Sequence, residues 1–429
     1  MNLATLAAEA ASRNRPDRVG LIGAGKFGSM FLSQVPTIAG IEVTAIDEFD
    51  HARMVAACTA VGWDAARIAA LSYEESGAEL AKRDDVDVVI EATGNPRAGT
   101  EHALAAIEAG KHVVMVNVEA DVMVGPLLAQ KARTAGVCYS MAYGDQPALV
   151  SEMVDWARAT GFDITAAGKG TKYLPIYHTV TPDNVWDYYG LSADQARAAG
   201  MNPQMFNSFL DGTKSAIEMV AIANACGLDV PAAGLSFPPC GVDDLAHVLR
   251  PKEFGGQLEK RGMVETISSL ERDGRDVFRD LRWGVYVVFE APNDYAASCF
   301  KQYGLPTDST DQFAAMYKPF HLIGLELSIS VLSAALRNEP TGQSREMRGT
   351  VASIAKRDLS AGEVLDGEGG YTVWGQALPL DVAQNALPIG LAHGVCLNRN
   401  ISAGSQIKLS DVDLGNDTAT KMYLDFFAS

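Results

Sequence analysis

Three features of the chain predict an α/β protein of several domains. Short apolar strands alternate with helical patterns from residue 18 to about 148, which signals a parallel sheet. Strands and helices without strict alternation follow to 345, the pattern of an α+β domain, and glycine-punctuated short strands fill the remainder as a small β-rich domain. At 429 residues the chain exceeds one typical domain, and 48% hydrophobic residues are ample for separate cores. The expected division is 1–148, 149–345 and 346–429.

The first strand, 18–23, runs into Gly23-x-Gly25-x-x-Gly28 and a helix over 27–35 that Pro36 stops. A second strand, 41–47, delivers Asp47 at its carboxyl end, 19 residues after Gly28. Each part has a physical task in holding a dinucleotide. Gly23 permits the tight turn, Gly25 lets a pyrophosphate approach the backbone, and Gly28 lets the helix pack closely on its strand. Lys26 and Phe27 lie within the same turn. This is the pattern of a Rossmann domain binding NAD(P). Asp47 suits the ribose hydroxyls, and with Glu48 it favours NAD. NADP use would require Arg53 or Lys26 to swing in. Further strands are expected at 86–92, 112–117 and 137–141, the last two following helices that end at Gly110 and Gly136. Their carboxyl ends bring Thr93, Gly94, Asn117, Glu119 and the 143–146 turn to the same sheet edge.

Composition narrows the partners. With 35 Lys and Arg against 53 Asp and Glu, the net charge is −18, which disfavours nucleic acid and anionic membranes. No uncharged apolar stretch approaches 18 residues and no signal peptide is visible, so a cytoplasmic protein is expected. Six scattered cysteines without a CxxC pair read as reduced thiols.

In the second region a strand is expected at 162–169, a long helix at 205–226, a strand at 281–290 and an apolar helix at 321–336. Asp211, Lys214, Ser215 and Glu218 would share one face of the long helix, whose next turns are apolar. A polar stripe on a buried helix needs partners. It is either an internal ion pair or a pocket in which Lys214 handles a substrate hydroxyl proton while Asp211 and Glu218 tune it; the second reading is adopted. Residues 168–173 place Lys169 and Lys172 in a glycine-bearing turn that would hold an anionic end. His178 and His321 are candidate substrate-binding or acid/base groups. No histidine pair has metal-ligand spacing, although Mg²⁺ held by Glu119, Asp145 or Glu218 with substrate oxygens would leave no such signature. A small anionic polyhydroxylated substrate is the expected partner.

Residues 110–117 resemble a segment of the homoserine-dehydrogenase-like NAD(P)-dependent oxidoreductases, with Val118 in place of that family's lysine. Asp211 and Lys214 resemble the same family's Asp…Lys catalytic helix with the spacing shortened by one. Residues 356–362 and 397–404 look like two halves of one duplicated motif, similar to a SAF domain. Together with Gly25-Lys-Phe-Gly-Ser-Met-Phe, Val116-Asn-Val-Glu-Ala-Asp, Asp211-Gly-Thr-Lys-Ser and Tyr317-Lys-Pro-Phe-His-Leu, the chain resembles the deoxyxylulose phosphate reductoisomerase-like (DRL) proteins over nearly its whole length. That resemblance implies conversion of 1-deoxy-D-xylulose 5-phosphate to 2-C-methyl-D-erythritol 4-phosphate with NADPH, Mg²⁺ or Mn²⁺, and a homodimer. The rival readings are an NAD-dependent dehydrogenase or oxidoisomerase of an unphosphorylated sugar acid or polyol, and a non-catalytic dinucleotide sensor.

Overall fold

The computed structural model describes residues 2–428, which form two compact units. The first takes the chain up to Glu152, then His321–Arg345, and again from Asp417 onward. Its centre is a sheet of β1 (Asp17–Ile22), β2 (Ile41–Asp47), β3 (Ser72–Glu74), β4 (Val88–Glu91), β5 (His112–Met115) and β6 (Tyr139–Met141). The spatial order is β3-β2-β1-β4-β5-β6, and every pairing is parallel. Chain direction through the order reverses between β1 and β4, the switch point beyond whose strand ends open α/β sheets bind ligands. Val19, Leu21, Val88 and Ile90 are wholly enclosed, as parallel strands covered on both faces require.

Two late segments return to this unit. Leu327, Val331 and Leu332 join Leu21, Ile90 and Val114 in one core. The helix expected over 321–336 is shorter, Ser328–Arg337, because Gly324 at φ +79° turns the chain before it. The expectation of strands and turns to the end fails at Thr418–Ala428. This helix is capped by Asp417, which accepts from the Thr420 N–H at 2.9 Å, and it packs on the Pro96–Glu108 and Val118–Ala135 helices. Within the latter, Asp121 is buried and accepts from Ser344 Oγ at 2.6 Å and Tyr139 Oη at 2.9 Å. Burial pushes its carboxyl up to about 6.

The second unit comprises Met153–Phe320 and Glu346–Asn416. Its main sheet contains β7 (Asp163–Thr171), β8 (Met263–Ser268), β9 (Val285–Glu290) and β10 (Phe313–Lys318) in the order β10-β9-β7-β8. β7 runs parallel to β8 and antiparallel to β9. The glycine-bearing turn expected at 168–173 is therefore mostly strand. Gly168 and Gly170 serve close approach instead: a Cβ there would fall 1.8 Å from the Glu265 carbonyl oxygen and 2.0 Å from that of Leu281. The single helix expected over 205–226 is likewise two, Pro203–Leu210 and Thr213–Cys226, broken by Gly212 at φ +92°.

Beyond 345 come β11 (Gly349–Ala355), β12 (Val364–Asp366), β13 (Val373–Pro379), β14 (His393–Leu397) and β15 (Val412–Asp413). β11 pairs with β13 antiparallel, and β12-β14-β15 form a second antiparallel sheet. The Thr213–Cys226 helix packs on β7 and β8 and also on β11 and β13. The duplicated motifs lie against each other with reciprocal bonds. Leu359 and Ile401 exchange N–H···O bonds of 2.8 and 2.9 Å. Ala361 N–H reaches Asn400 Oδ1 as Ala403 N–H reaches Asp358 Oδ1, both at 2.8 Å.

Two measurements check this packing. Asp121, with a carboxyl held near 6 in the fold against 3.8 in the open chain, favours the folded state while protonated, and loses that contribution as pH rises through about 6. Urea unfolding at pH 4 and pH 7 should therefore show the native chain losing roughly 2 kcal/mol relative to Asp121→Asn over that range. Gly168→Ala should cost about 3 kcal/mol, since the obstructing atom is backbone.

Candidate active site

In the first unit the turn from β1 into the Lys26–Gln34 helix divides its glycine tasks as expected. Gly23 adopts φ +92° and donates its N–H to the Asp47 carbonyl at 3.0 Å. A Cβ on Gly28 would sit 2.3 Å from the Gly23 carbonyl oxygen, whereas one on Gly25 would meet nothing within 4 Å. That open backbone, followed by the first N–H groups of the helix, which have no intrahelical partner, is a cradle of the kind a pyrophosphate occupies. Lys26 is exposed and Phe27 half-buried beside it.

Asp47 ends β2, where burial raises its carboxyl and His102 draws it back down. The Glu48 carboxylate accepts from the Ala24 and Phe49 N–H groups at 3.0 Å each and faces Arg53 at 3.4 Å. Arg53 also lies over the Phe49 ring, 5.0 Å from its centre. After β4, exposed Thr93 and Gly94 lead to Asn95, which caps the Pro96–Glu108 helix. Thr93 Oγ1 donates to buried Glu91 at 2.5 Å, and His102 Nδ1 lies 3.3 Å from the same oxygen. Asn117 is 1% exposed and clips two helix starts together, accepting from Ala120 N–H and donating to the Asn95 carbonyl. Glu119 is half-buried in the first turn after it. His321 also belongs to this unit, with Nε2 3.2 Å from Gln146 Nε2.

In the second unit the expected polar stripe is rearranged. Asp211 is not on the helix of Lys214: it closes the preceding helix, and its Oδ1 accepts the Thr213 N–H at 2.9 Å. Its Oδ2 lies 2.8 Å from Lys356 Nζ. Glu218 pairs with Lys169, and both are buried. The acids expected to tune Lys214 thus face lysines from distant parts of the chain. Lys214 is the one residue of Thr213–Cys226 that is not fully buried. Lys172 Nζ donates to the Tyr188 carbonyl at 2.5 Å, and burial lowers its pKa.

His178 stacks on Trp374 with ring centres 3.8 Å apart. Burial lowers its pKa, so the ring is neutral near pH 7. In that form Nδ1–H donates to the Asp211 carbonyl at 2.7 Å, and Nε2 accepts from the Tyr173 hydroxyl at 2.9 Å. Both nitrogens are used by the protein itself. Among the described residues no three His, Cys, Asp or Glu side chains are gathered to hold a metal ion. Sequence reasoning missed Lys356, Glu91 and His102. The only available signal for Lys356 was its place in the duplicated motif, where the second copy has Asn398.

Residues 18–116 match the family described as "Oxidoreductase family, NAD-binding Rossmann fold", and residues 144–327 match "Oxidoreductase DRL, catalytic domain". No curated protein matches the chain. Among solved structures, a probable dehydrogenase from Thermotoga maritima is 15% identical, over 75% of this chain and 90% of that one, with a TM-score of 0.39. A DOX-P reductoisomerase in complex with NADPH, fosmidomycin and magnesium is 16% identical over 50% and 59%, with a TM-score of 0.35. Biliverdin reductase from Synechocystis sp. PCC 6803, in complex with biliverdin and NADP+, is 21% identical over 37% and 48%, with a TM-score of 0.28. The chain spans about half the length of the first structures it matches, 48% and 44%. No described helix is long and apolar enough to cross a membrane.

The glycine turn makes a paired test. Gly25→Ala has room for its methyl and should leave the thermal midpoint within about 2 °C, yet weaken NAD(H) binding by roughly tenfold or more, read by nicotinamide fluorescence. Gly28→Ala should lower the thermal midpoint instead, because its methyl strikes the Gly23 carbonyl. With its glycine cradle at the switch point of a parallel sheet and its matches to two oxidoreductase family models, the chain is an NAD(P)-dependent oxidoreductase whose residues 18–116 and 144–327 are similar to those families.

Proposed function

We propose that the chain converts 1-deoxy-D-xylulose 5-phosphate, or a close ketose phosphate, to the branched polyol phosphate, a step of isoprenoid precursor synthesis. The observation that carries this reading is the DRL catalytic match over 144–327, which spans Lys169, Lys172, His178, Asp211, Lys214, Glu218 and His321. The reduced nicotinamide supplies a hydride when bound. Skeletal rearrangement of the ketose produces an aldehyde; the hydride reduces its carbon, and its oxygen takes a proton. Lys214 is assigned that proton donation. It stands in the first turn of its helix, where the positive end of the helix dipole also favours an anionic substrate. Lys169, on β7, forms a buried ion pair with Glu218 of the same helix. Mg²⁺ or Mn²⁺, which the family resemblance implies, would be held by Glu119, Asp145 or Glu218 together with substrate oxygens, and no step is routed through it. A cytoplasmic homodimer completes the reading, on the family resemblance.

A second reading has its own support. Both lysines expected to hold a phosphate are engaged, Lys169 by Glu218 and Lys172 by the Tyr188 carbonyl. Asp47 and Glu48 surround the adenosine end with negative charge, and Glu48 already faces Arg53. Those features favour NAD(H) and an unphosphorylated sugar acid or polyol.

Absorbance at 340 nm separates the two. Deoxyxylulose phosphate with NADPH or NADH, with and without Mn²⁺ or Mg²⁺, should give cofactor oxidation that fosmidomycin stops. Silence there, with NAD⁺ reduction on an aldonate or polyol panel, would replace the first reading by the second. In either case Lys214→Ala should lower kcat by about 10²- to 10⁴-fold while dinucleotide affinity stays within twofold. Turnover like that of the native chain would remove Lys214 from the mechanism.

A further inference from the structure

We infer that Lys356 is a positioning residue that fixes the start of the Lys214 helix through the buried carboxylate of Asp211. The inference rests on the reading of Lys214 as proton donor, and the bonds that carry it converge on one joint. Lys356 follows β11, 145 positions along the chain from Asp211, yet their side chains are 2% and 0% exposed and 2.8 Å apart. Lys356 Nζ also donates to the Val180 and Gly370 carbonyls, both at 2.8 Å. Two of the ammonium's donors are thus taken by main-chain carbonyls, and its charge faces the Asp211 carboxylate as an ion pair.

Asp211 transmits this grip in three ways. Its Oδ1 holds the Thr213 N–H, the first of the helix whose next residue is Lys214. Its carbonyl holds His178 Nδ1, and the imidazole is fixed in turn by Tyr173 and Trp374. Its own N–H closes the preceding helix on the Asn207 carbonyl at 2.8 Å. Gly212, at φ +92°, is the hinge between the helices, and a Cβ there would lie 3.1 Å from His178 Cε1.

The same stretch of chain holds both sides of the hinge. Gly375 N–H donates to Thr213 Oγ1 at 2.8 Å. Asn207 Nδ2 donates to the Gly369 carbonyl at 2.8 Å, and Gln204 Nε2 to the Glu368 carbonyl at 2.9 Å. Residues 356–375 therefore set where the Thr213–Cys226 helix begins, and with it the direction of Lys214. Asp211 itself, enclosed and matched, is removed from direct proton transfer.

The test compares Lys356→Met with the double variant Lys356→Met/Asp211→Asn. The single variant buries an uncompensated carboxylate and is expected to fold poorly. The double variant removes both charges, and its amide oxygen can still accept the Thr213 N–H. On the substrate the native chain turns over, the double variant should lose about 10- to 100-fold in kcat with KM and dinucleotide Kd within twofold. A readout free of substrate identity is competitive acetylation of the folded proteins by acetic anhydride, followed by mass spectrometry. Lys214 reactivity should change at least threefold against Lys260, whose side chain is 62% exposed. If a folded double variant retains native kcat and native Lys214 reactivity, Lys356 is only a buried counter-charge and the inference is overturned. If the native chain turns over none of the substrates, the proposed reaction falls while the labelling comparison still decides the role of Lys356.

Discussion

A helix enclosed on two sides, yet bordered by carboxylates, is the constraint on which the second unit depends. Every residue of Thr213–Cys226 except Lys214 is buried, and its two faces meet β7–β8 and β11–β13. A carboxylate withdrawn from water without a partner costs several kcal/mol, so each acid requires a cation delivered to it. Lys169 comes to Glu218 from β7, and Lys356 comes to Asp211 from just beyond β11. Both sheets are thus tied to one helix by charge as well as by apolar contact. Apolar replacements of the right volume would often be as stable, so stability alone does not account for these pairs.

Local physics was legible in the sequence, and partnership was not. The parallel sheet and its glycine turn could be read because alternation, glycine spacing and the acid after β2 are set within about thirty residues. The three glycine tasks appear in the structure as a positive φ, an open approach and a close helix contact. Other features depended on distant chain. Gly168 and Gly170 look like turn residues, but what requires them is the backbone about 100 positions on, at Glu265 and Leu281. Asp211 and Lys214 fit one helical face on paper, and only the left-handed Gly212 between them separates the two helices. The counter-charges of Asp211 and Glu218 lie 145 and 49 positions away, beyond the reach of any periodicity. The closing helix was different: Asp417, three residues before Thr420, is an N-cap signal that was present and overlooked.

The duplicated motif shows how such a distant cation can be placed accurately. Corresponding positions in its halves make corresponding backbone bonds. Gly362 N–H reaches the Leu397 carbonyl at 2.7 Å, and Gly404 N–H reaches that of Ala355 at 2.8 Å. Pairing of this kind fixes each strand end against its counterpart, independent of what the side chains do next. The copies then diverge at Lys356 and Asn398. Asn398 spends its amide locally, on the Ser410 carbonyl at 2.9 Å, whereas Lys356 reaches away from the module to Asp211. A long side chain usually gives up much rotamer freedom to hold one geometry. Here the main chain beneath it is already fixed, by the Lys356 N–H bond to the Thr372 carbonyl at 2.9 Å and by the reciprocal pairing on either side. Backbone symmetry thus supplies the rigidity, and the one asymmetric side chain carries it to the helix start.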